Sequence, residues 1–134
     1  MDQVTIRSRN PLRITLNEAE ELAQAVRPLA PDIKVEVEAE EQQQGTYGVT
    51  FFQIIEIVLP TAAIVGQELV QEITKAGIEW ARARFKRKKT GNPVYIPIYG
   101  PDGEILKSVV VKNATDEPED RTEQDRERQH FNTV

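Results

Sequence analysis

The chain of 134 residues contains no cysteine, one histidine and one tryptophan, and only 6% of its residues are aromatic. Without cysteine it cannot form disulfides, thiolate nucleophiles or cysteine-ligated zinc and iron–sulfur sites. The single histidine, His130, lies in a charged C-terminal segment. A histidine-based catalytic triad or a histidine metal cluster within one chain is therefore excluded.

Long apolar runs are also missing. No stretch reaches the ~18 uninterrupted apolar residues of an ordinary spanning helix. Residues 1–10 include Asp2 and no apolar run, a pattern that is not typical of a secretory signal. Together with the lack of cysteine, these features predict a soluble, cytoplasmic protein.

Charge is unevenly distributed along the chain. The net charge is −5, yet residues 81–90 carry six basic side chains and no acid, so the remainder carries −11 by subtraction. Because an acidic surface repels phosphate, nucleic acid is not expected as a partner.

The basic run itself has two interpretations. Its cations either complement a helix C-terminus and pair with the acidic tail, or form a surface for a partner, lipid headgroups or nucleic acid.

The first third of the chain has a strand–helix–strand pattern. Residues 3–8 alternate weakly, whereas residues 33–40 alternate apolar and charged side chains at every position, as in a strand with one wet face. Between them Thr15 and Glu18 have the spacing of a capping box. They begin a predicted helix of about three turns that Pro31 closes.

A second helix is predicted to be unusually apolar. Thr50 and Gln53 repeat the capping spacing, and residues 51–59 are apolar almost all round. Pro60 should kink this helix, because proline lacks the N–H and clashes with the preceding turn. The apolar stripe then continues to Trp80 and into the basic run. The resulting apolar helix, residues 51–80, carries more apolar surface than a small sheet is expected to cover.

The pattern ends in a hairpin and a charged tail. Residues 94–99 and 105–111 predict antiparallel strands joined by a turn in which Gly103 takes a positive φ. The predicted fold is α+β, with the order β-α-β-α-β-β. It is a two-layer sandwich whose four-stranded mixed sheet carries one long kinked apolar helix and a shorter helix on one face. We expect a single domain over residues 1–112 and a disordered tail over residues 113–134.

No catalytic motif is present. Nucleophile-elbow, phosphate-loop and dinucleotide-binding signatures are all missing from the sequence. Glu36, Glu38 and Glu40 share one strand face and could bind a divalent ion, although a solvated sheet face is the more ordinary interpretation. We therefore predict no enzyme, no cofactor or metal site and no small-molecule substrate.

These observations favour a non-catalytic interaction or assembly module that binds a protein partner or a second copy of itself. The alternative is a peripheral membrane protein that uses the 51–80 helix and the basic run 82–89. Both interpretations depend on residues predicted to project from the second helix: Leu69, Ile73, Trp80, Arg82, Lys86 and Lys89.

Several short motifs lie within residues 14–112, about three quarters of the chain. They are the strand–helix–strand start, the Gly45/Gly48 loop before an apolar helix, the segment Trp80-Ala81-Arg82-Ala83-Arg84, the strand at 94–98 and the Pro101-Asp102-Gly103 turn. In this layout the chain resembles the effector-associated constant components of bacterial conflict systems. The resemblance implies a non-enzymatic accessory partner of effector modules, without catalytic residues.

Overall fold

The computed structural model describes residues 3–40, 52–60, 66–88 and 92–132. They form an α+β fold with a six-stranded, mixed, open sheet and three α-helices. The strands are β1 (Gln3–Ser8), β2 (Lys34–Ala39), β3 (Gln53–Val58), β4 (Val94–Tyr99), β5 (Ile105–Val111) and β6 (Glu119–Asp120). The helices are α1 (Leu16–Val26), α2 (Gln67–Arg87) and α3 (Thr122–Asn132), and a 3-10 turn (Arg27–Leu29) follows α1.

The strand order across the sheet is β2-β1-β3-β4-β5-β6. β1 is parallel to β2 and antiparallel to β3, and β3 is parallel to β4. β4, β5 and β6 are joined in antiparallel fashion. The predicted hairpin is confirmed, and Gly103 has the positive φ, 80°, that the turn requires. Among the described residues, β2 and β6 are therefore the two edges of the sheet.

The assignment of residues 51–59 to an apolar helix is wrong. Residues 53–58 form β3, a central strand that pairs with β1 and β4. Every residue of β3 except Val58 is buried, so both of its faces are covered and the sequence shows no alternation. Pro60 consequently follows a strand instead of kinking a helix. α2 begins later, after Gly66 as its N-cap.

α1 and α2 pack on one face of the sheet. Alternate residues of the central strands, among them Ile6, Ile57 and Ile98, form one cluster with Leu22 of α1 and Ile73 of α2, all fully buried. The four-stranded prediction is corrected to six strands, because it omitted both β3 and β6.

A buried polar cluster joins α1 to the end of α2. Trp80 Nε1 donates to the Glu18 carbonyl at 2.8 Å, and Arg84 Nε donates to Glu18 Oε2, also at 2.8 Å. Arg84, with its side chain 2% exposed, also donates to the Arg13 carbonyl at 2.7 Å. Lys88 Nζ lies 3.2 Å from the same Glu18 oxygen. This cluster fixes how the two helices meet over the sheet.

The predicted capping box of α1 is confirmed, and it adds to the same cluster. The Thr15 hydroxyl accepts from the Glu18 N–H at 3.2 Å, while Glu18 Oε1 accepts from the Thr15 N–H at 3.1 Å. Burial raises the pKa of the Glu18 carboxyl, but hydrogen bonds from Thr15, Lys88 and Arg84 outweigh it and lower the pKa overall. Glu18 is thus held as a carboxylate.

Residues 113–134, predicted as a disordered tail, contain β6 and α3. β6 pairs with β5 through Val109 and Val110, and α3 packs against β5. α3 has no apolar stripe that periodicity could detect; polar side chains hold it in place, as described below.

We predict that Arg84→Ala lowers the free energy of unfolding by about 3 kcal/mol, because it leaves the buried Glu18 carboxylate without its main partner. Lys88 remains near Glu18 and keeps the loss at the lower end of the range for a broken buried ion pair. Urea denaturation measures the change. Arg87→Ala is the matched control, since Arg87 and Glu21 pair at 3.0 Å with both side chains about half exposed. It should cost less than ~1 kcal/mol. Equal losses of unfolding free energy in the two variants would show that the buried Glu18–Arg84 pair stabilises the fold no more than a surface pair does.

Candidate interaction surface

The residues predicted to project from α2 toward a partner do not form one exposed surface. Ile73 is fully buried and Trp80 is 7% exposed, and both belong to the core. Leu69 is half-buried and packs against the same core. The apolar stripe of α2 therefore faces the sheet. Lys89 lies outside the described residues.

Most of the described cations of the basic run are bound within the chain. Arg82 donates to the Asp116 carbonyl at 3.1 Å. Arg84 and Lys88 both contact Glu18, at 2.8 Å and 3.2 Å, and Arg87 lies 3.0 Å from Glu21. Of the described part of the run, only Lys86 is exposed without a charged partner. This geometry favours the interpretation in which the run stabilises the protein internally.

The acidic face of β2 is partly ion-paired within the chain. Arg7 Nε lies 2.5 Å from Glu38 and 3.5 Å from Glu40, and its Nη1 lies 3.2 Å from the buried Glu56. Lys34 pairs with Glu36 at 2.7 Å. Within the described ranges no group of acidic or histidine side chains is suited to a metal ion. The carboxylates therefore form a charged, ion-paired sheet face.

The β5 end of the sheet is closed by side chains of α3. Arg126 donates through Nε to the Ile105 carbonyl at 2.9 Å and through Nη2 to the Leu106 carbonyl at 2.8 Å. Gln129 Oε1 accepts from the Ile105 N–H at 3.0 Å. β6 pairs with Val109 and Val110, and the Ser108 backbone bonds to the Arg121 N–H and the Thr122 hydroxyl. Backbone groups along this edge thus already have partners.

Beneath α3 lies a buried network around Asp125, which is 6% exposed. Its Oδ2 accepts from the Tyr95 hydroxyl at 2.6 Å and from the Ser108 hydroxyl at 2.7 Å. Burial and the Asp125 hydrogen bond raise the pKa of Tyr95. The Arg121 guanidinium lies 5.7 Å and 6.0 Å from the ring centres of Phe52 and Tyr95. These contacts leave no local pattern in the sequence, because Tyr95 and Asp125 are too far apart along the chain for helix or strand periodicity to connect them.

A groove of about 510 Å³ runs beside α3, between the start of α2 and β5. Its lining includes Gln67, Val70, Leu106 and Arg126. Arg126 is held by the two β5 carbonyls, so the backbone at the base of the groove is not available to an added strand.

The outer edge of β2 is different. The Glu40 N–H donates to the Ser8 carbonyl of β1 at 2.9 Å. Because backbone groups alternate in direction along a strand, the N–H and C=O groups of the even-numbered residues of β2 point toward β1. The N–H and C=O groups of Val35, Val37 and Ala39 consequently point away from β1. One of them, the Val35 carbonyl, accepts from Arg27 Nη2 at 3.3 Å. In the described part of the chain, no strand pairs with this edge.

Comparison with protein-family models and with curated proteins finds no match to this chain. None of the helices in the described ranges has the length and apolar character needed to cross a membrane.

We predict that the attachment of the β6–α3 segment weakens below pH 4. Burial raises the pKa of Asp120, but hydrogen bonds from Lys107 and Thr122 outweigh it and lower the pKa from 3.8 to about 2. A lowered folded-state pKa gives stability that is present above the unfolded-state value and is lost as the pH falls toward 2.

The measurement is the thermal midpoint of the wild type and of Asp120→Asn between pH 7 and pH 2. The wild type should be the more stable at pH 5–7, and the difference should shrink toward zero between pH 4 and pH 2. A difference that stays constant across this window would show that the Asp120 charge does not stabilise the segment.

Proposed function

We propose that this chain is a non-catalytic interaction module that binds a protein partner by accepting a strand at the outer edge of β2. The observation that carries the proposal is the contrast between the two ends of the sheet. At the β5 end the two-residue strand β6 and the side chains of α3 bond to the backbone of β5, whereas the six-residue strand β2 has no strand on its outer side among the described residues.

Strand addition suits the geometry of this edge. β2 contains six residues, a common strand length, and its outward N–H and C=O groups recur at every second position. These backbone groups would supply affinity without regard to sequence. Specificity would come from the side chains, because Val35 and Val37 lie on the core face and Lys34, Glu36 and Glu38 on the charged face.

The proposed function is the non-catalytic interaction module that the sequence predicts. Its interaction surface, however, is the outer edge of β2 and not the 51–80 helix. The 51–80 helix cannot supply it, because residues 53–58 are a buried strand and the apolar stripe of α2 faces the core. The peripheral-membrane alternative depended on that same helix and loses its main argument. The resemblance to effector-associated constant components is in line with a non-enzymatic partner.

We predict that an extended heptapeptide of alternating lysine and valine, complementary to the acidic face, shifts the amide resonances of Val35, Val37 and Ala39 in the ¹⁵N-labelled protein. Val37→Pro should weaken this binding by at least about tenfold, because it removes an outward donor and crowds the incoming strand. The Val37 N–H does not bond to β1, so the variant should keep the fold.

Two controls accompany this titration. The amide spectrum of Val37→Pro away from β2 reports whether the fold is intact. Gln71→Ala, in the groove beside α3, should bind the peptide like the wild type. Shifts confined to the groove, with none along β2, would show that the edge is not the binding surface.

A further inference from the structure

We propose that the strand added to β2 is the β2 strand of a second copy of this chain, paired in antiparallel fashion about a two-fold axis at Glu36. The inference rests on the proposed function, since it uses the same edge. It goes further by naming the partner and the register of the pairing.

The backbone permits this register. With the axis at Glu36, Val35 of one copy lies opposite Val37 of the other, and symmetry repeats the pair. Both residues direct their N–H and C=O groups outward, so each is a hydrogen-bonded pair of an antiparallel ladder. Together the two pairs would form about four backbone hydrogen bonds. Arg27 must release the Val35 carbonyl, but it retains Glu20, at 2.5 Å, as a partner.

The charges of β2 are self-complementary in this register. Lys34 of each copy lies opposite Glu38 of the other, which gives two symmetry-related pairs of opposite charge across the interface. The two Glu36 side chains meet at the axis, and each is already paired with Lys34 of its own chain at 2.7 Å. Each Lys34 would lie between Glu36 of its own chain and Glu38 of the other, and the two pairs of opposite charge outnumber the single Glu36 contact at the axis.

Neighbouring registers are less favourable. An axis at Val37 would add a third hydrogen-bonded pair, but it sets Glu36 opposite Glu38 twice and Lys34 opposite Glu40 twice, so like and opposite charges balance and no net attraction remains. An axis at Val35 would require the Ile33 N–H, which already donates to the Ala30 carbonyl at 3.1 Å. Charge disfavours the first of these registers and the occupied Ile33 N–H the second, which leaves the axis at Glu36.

Apolar residues continue across the same junction. Val35 and Val37 of the two copies would lie side by side on the core face, so the apolar surface of one sheet runs into that of the other. A single strand pair buries less than the ~1,200 Å² of a standard interface. The dimer should therefore be weak and depend on concentration.

Cysteine crosslinking tests this register directly, because the chain has no native cysteine. Residues facing each other in a non-hydrogen-bonded antiparallel pair have Cα atoms about 4.5 Å apart, which is within disulfide range. Glu36→Cys should therefore form a covalent dimer under mild oxidation, visible on a non-reducing gel.

Ala39→Cys is the matched control, since it adds an exposed thiol to the same strand without removing a charged partner. With the axis at Glu36, the two residues numbered 39 lie about 20 Å apart, at 3.3 Å per residue. This variant should yield at least about tenfold less covalent dimer. Equal crosslinking of both variants, or crosslinking of Ala39→Cys alone, would overturn the proposed register.

Charge exchange supplies an independent readout by sedimentation equilibrium. Lys34→Glu should weaken the dimer at least about tenfold, because it sets two acids opposite each other. Lys34→Arg, which keeps a cation opposite Glu38, should associate like the wild type. A Lys34→Glu variant that associates as strongly as the wild type would contradict the cross-axis pair.

The outcomes separate this inference from the proposed function. If Glu36→Cys stays monomeric while the alternating peptide still shifts the β2 amides, the second copy is the wrong partner and strand addition stands. If neither the peptide nor a second copy engages β2, both proposals fail.

Discussion

An open β-sheet exposes a row of N–H and C=O groups along each outer strand, and a protein must cover, pair or protect them. In this chain the two ends of the sheet differ in how this is done. At one end Arg126 and Gln129 of α3 bond directly to the backbone of β5, and β6 pairs with Val109 and Val110 of that strand. At the other end β2 keeps alternate backbone groups directed outward. The proposed addition of a strand at the outer edge of β2 follows from this asymmetry.

The helices explain why the asymmetry is possible. α1 and α2 are committed to the core, and the buried Glu18–Arg84 pair and the Trp80 hydrogen bond tie them together. Their apolar stripes face the sheet, and most of the described basic run is bound internally. Neither helix therefore offers the apolar surface that an assembly module needs. Backbone pairing along β2 supplies an interaction that does not require such a surface.

Local patterns predicted the local structure well. The capping box at Thr15, the alternation of β2 and the turn at Gly103 each depend on neighbouring residues, and all three are confirmed. β3 was misread because a strand that is buried on both faces loses its period of two and looks like a helix that is apolar all round. α3 was missed because side-chain hydrogen bonds, such as those of Asp125, leave no periodic trace in the sequence.

The candidate surface could be predicted only in part. The alternation over residues 33–40 identified a strand with one wet face, but its position at the edge depends on β3, which takes the other side of β1. Once β3 is read as a helix, the strand order cannot be derived. In the same way, helical spacing placed Ile73 and Trp80 on one stripe without showing whether that stripe faces the core or a partner.

Amide hydrogen exchange along β2 tests the central claim most directly. In dilute protein, the inward amides of Glu36, Glu38 and Glu40 should be protected, while those of Val35, Val37 and Ala39 exchange freely. Protection of the Val35 and Val37 amides should rise at least about tenfold as the protein concentration increases. Outward amides that are already protected at high dilution would contradict the account, because the edge would then be covered within a single chain.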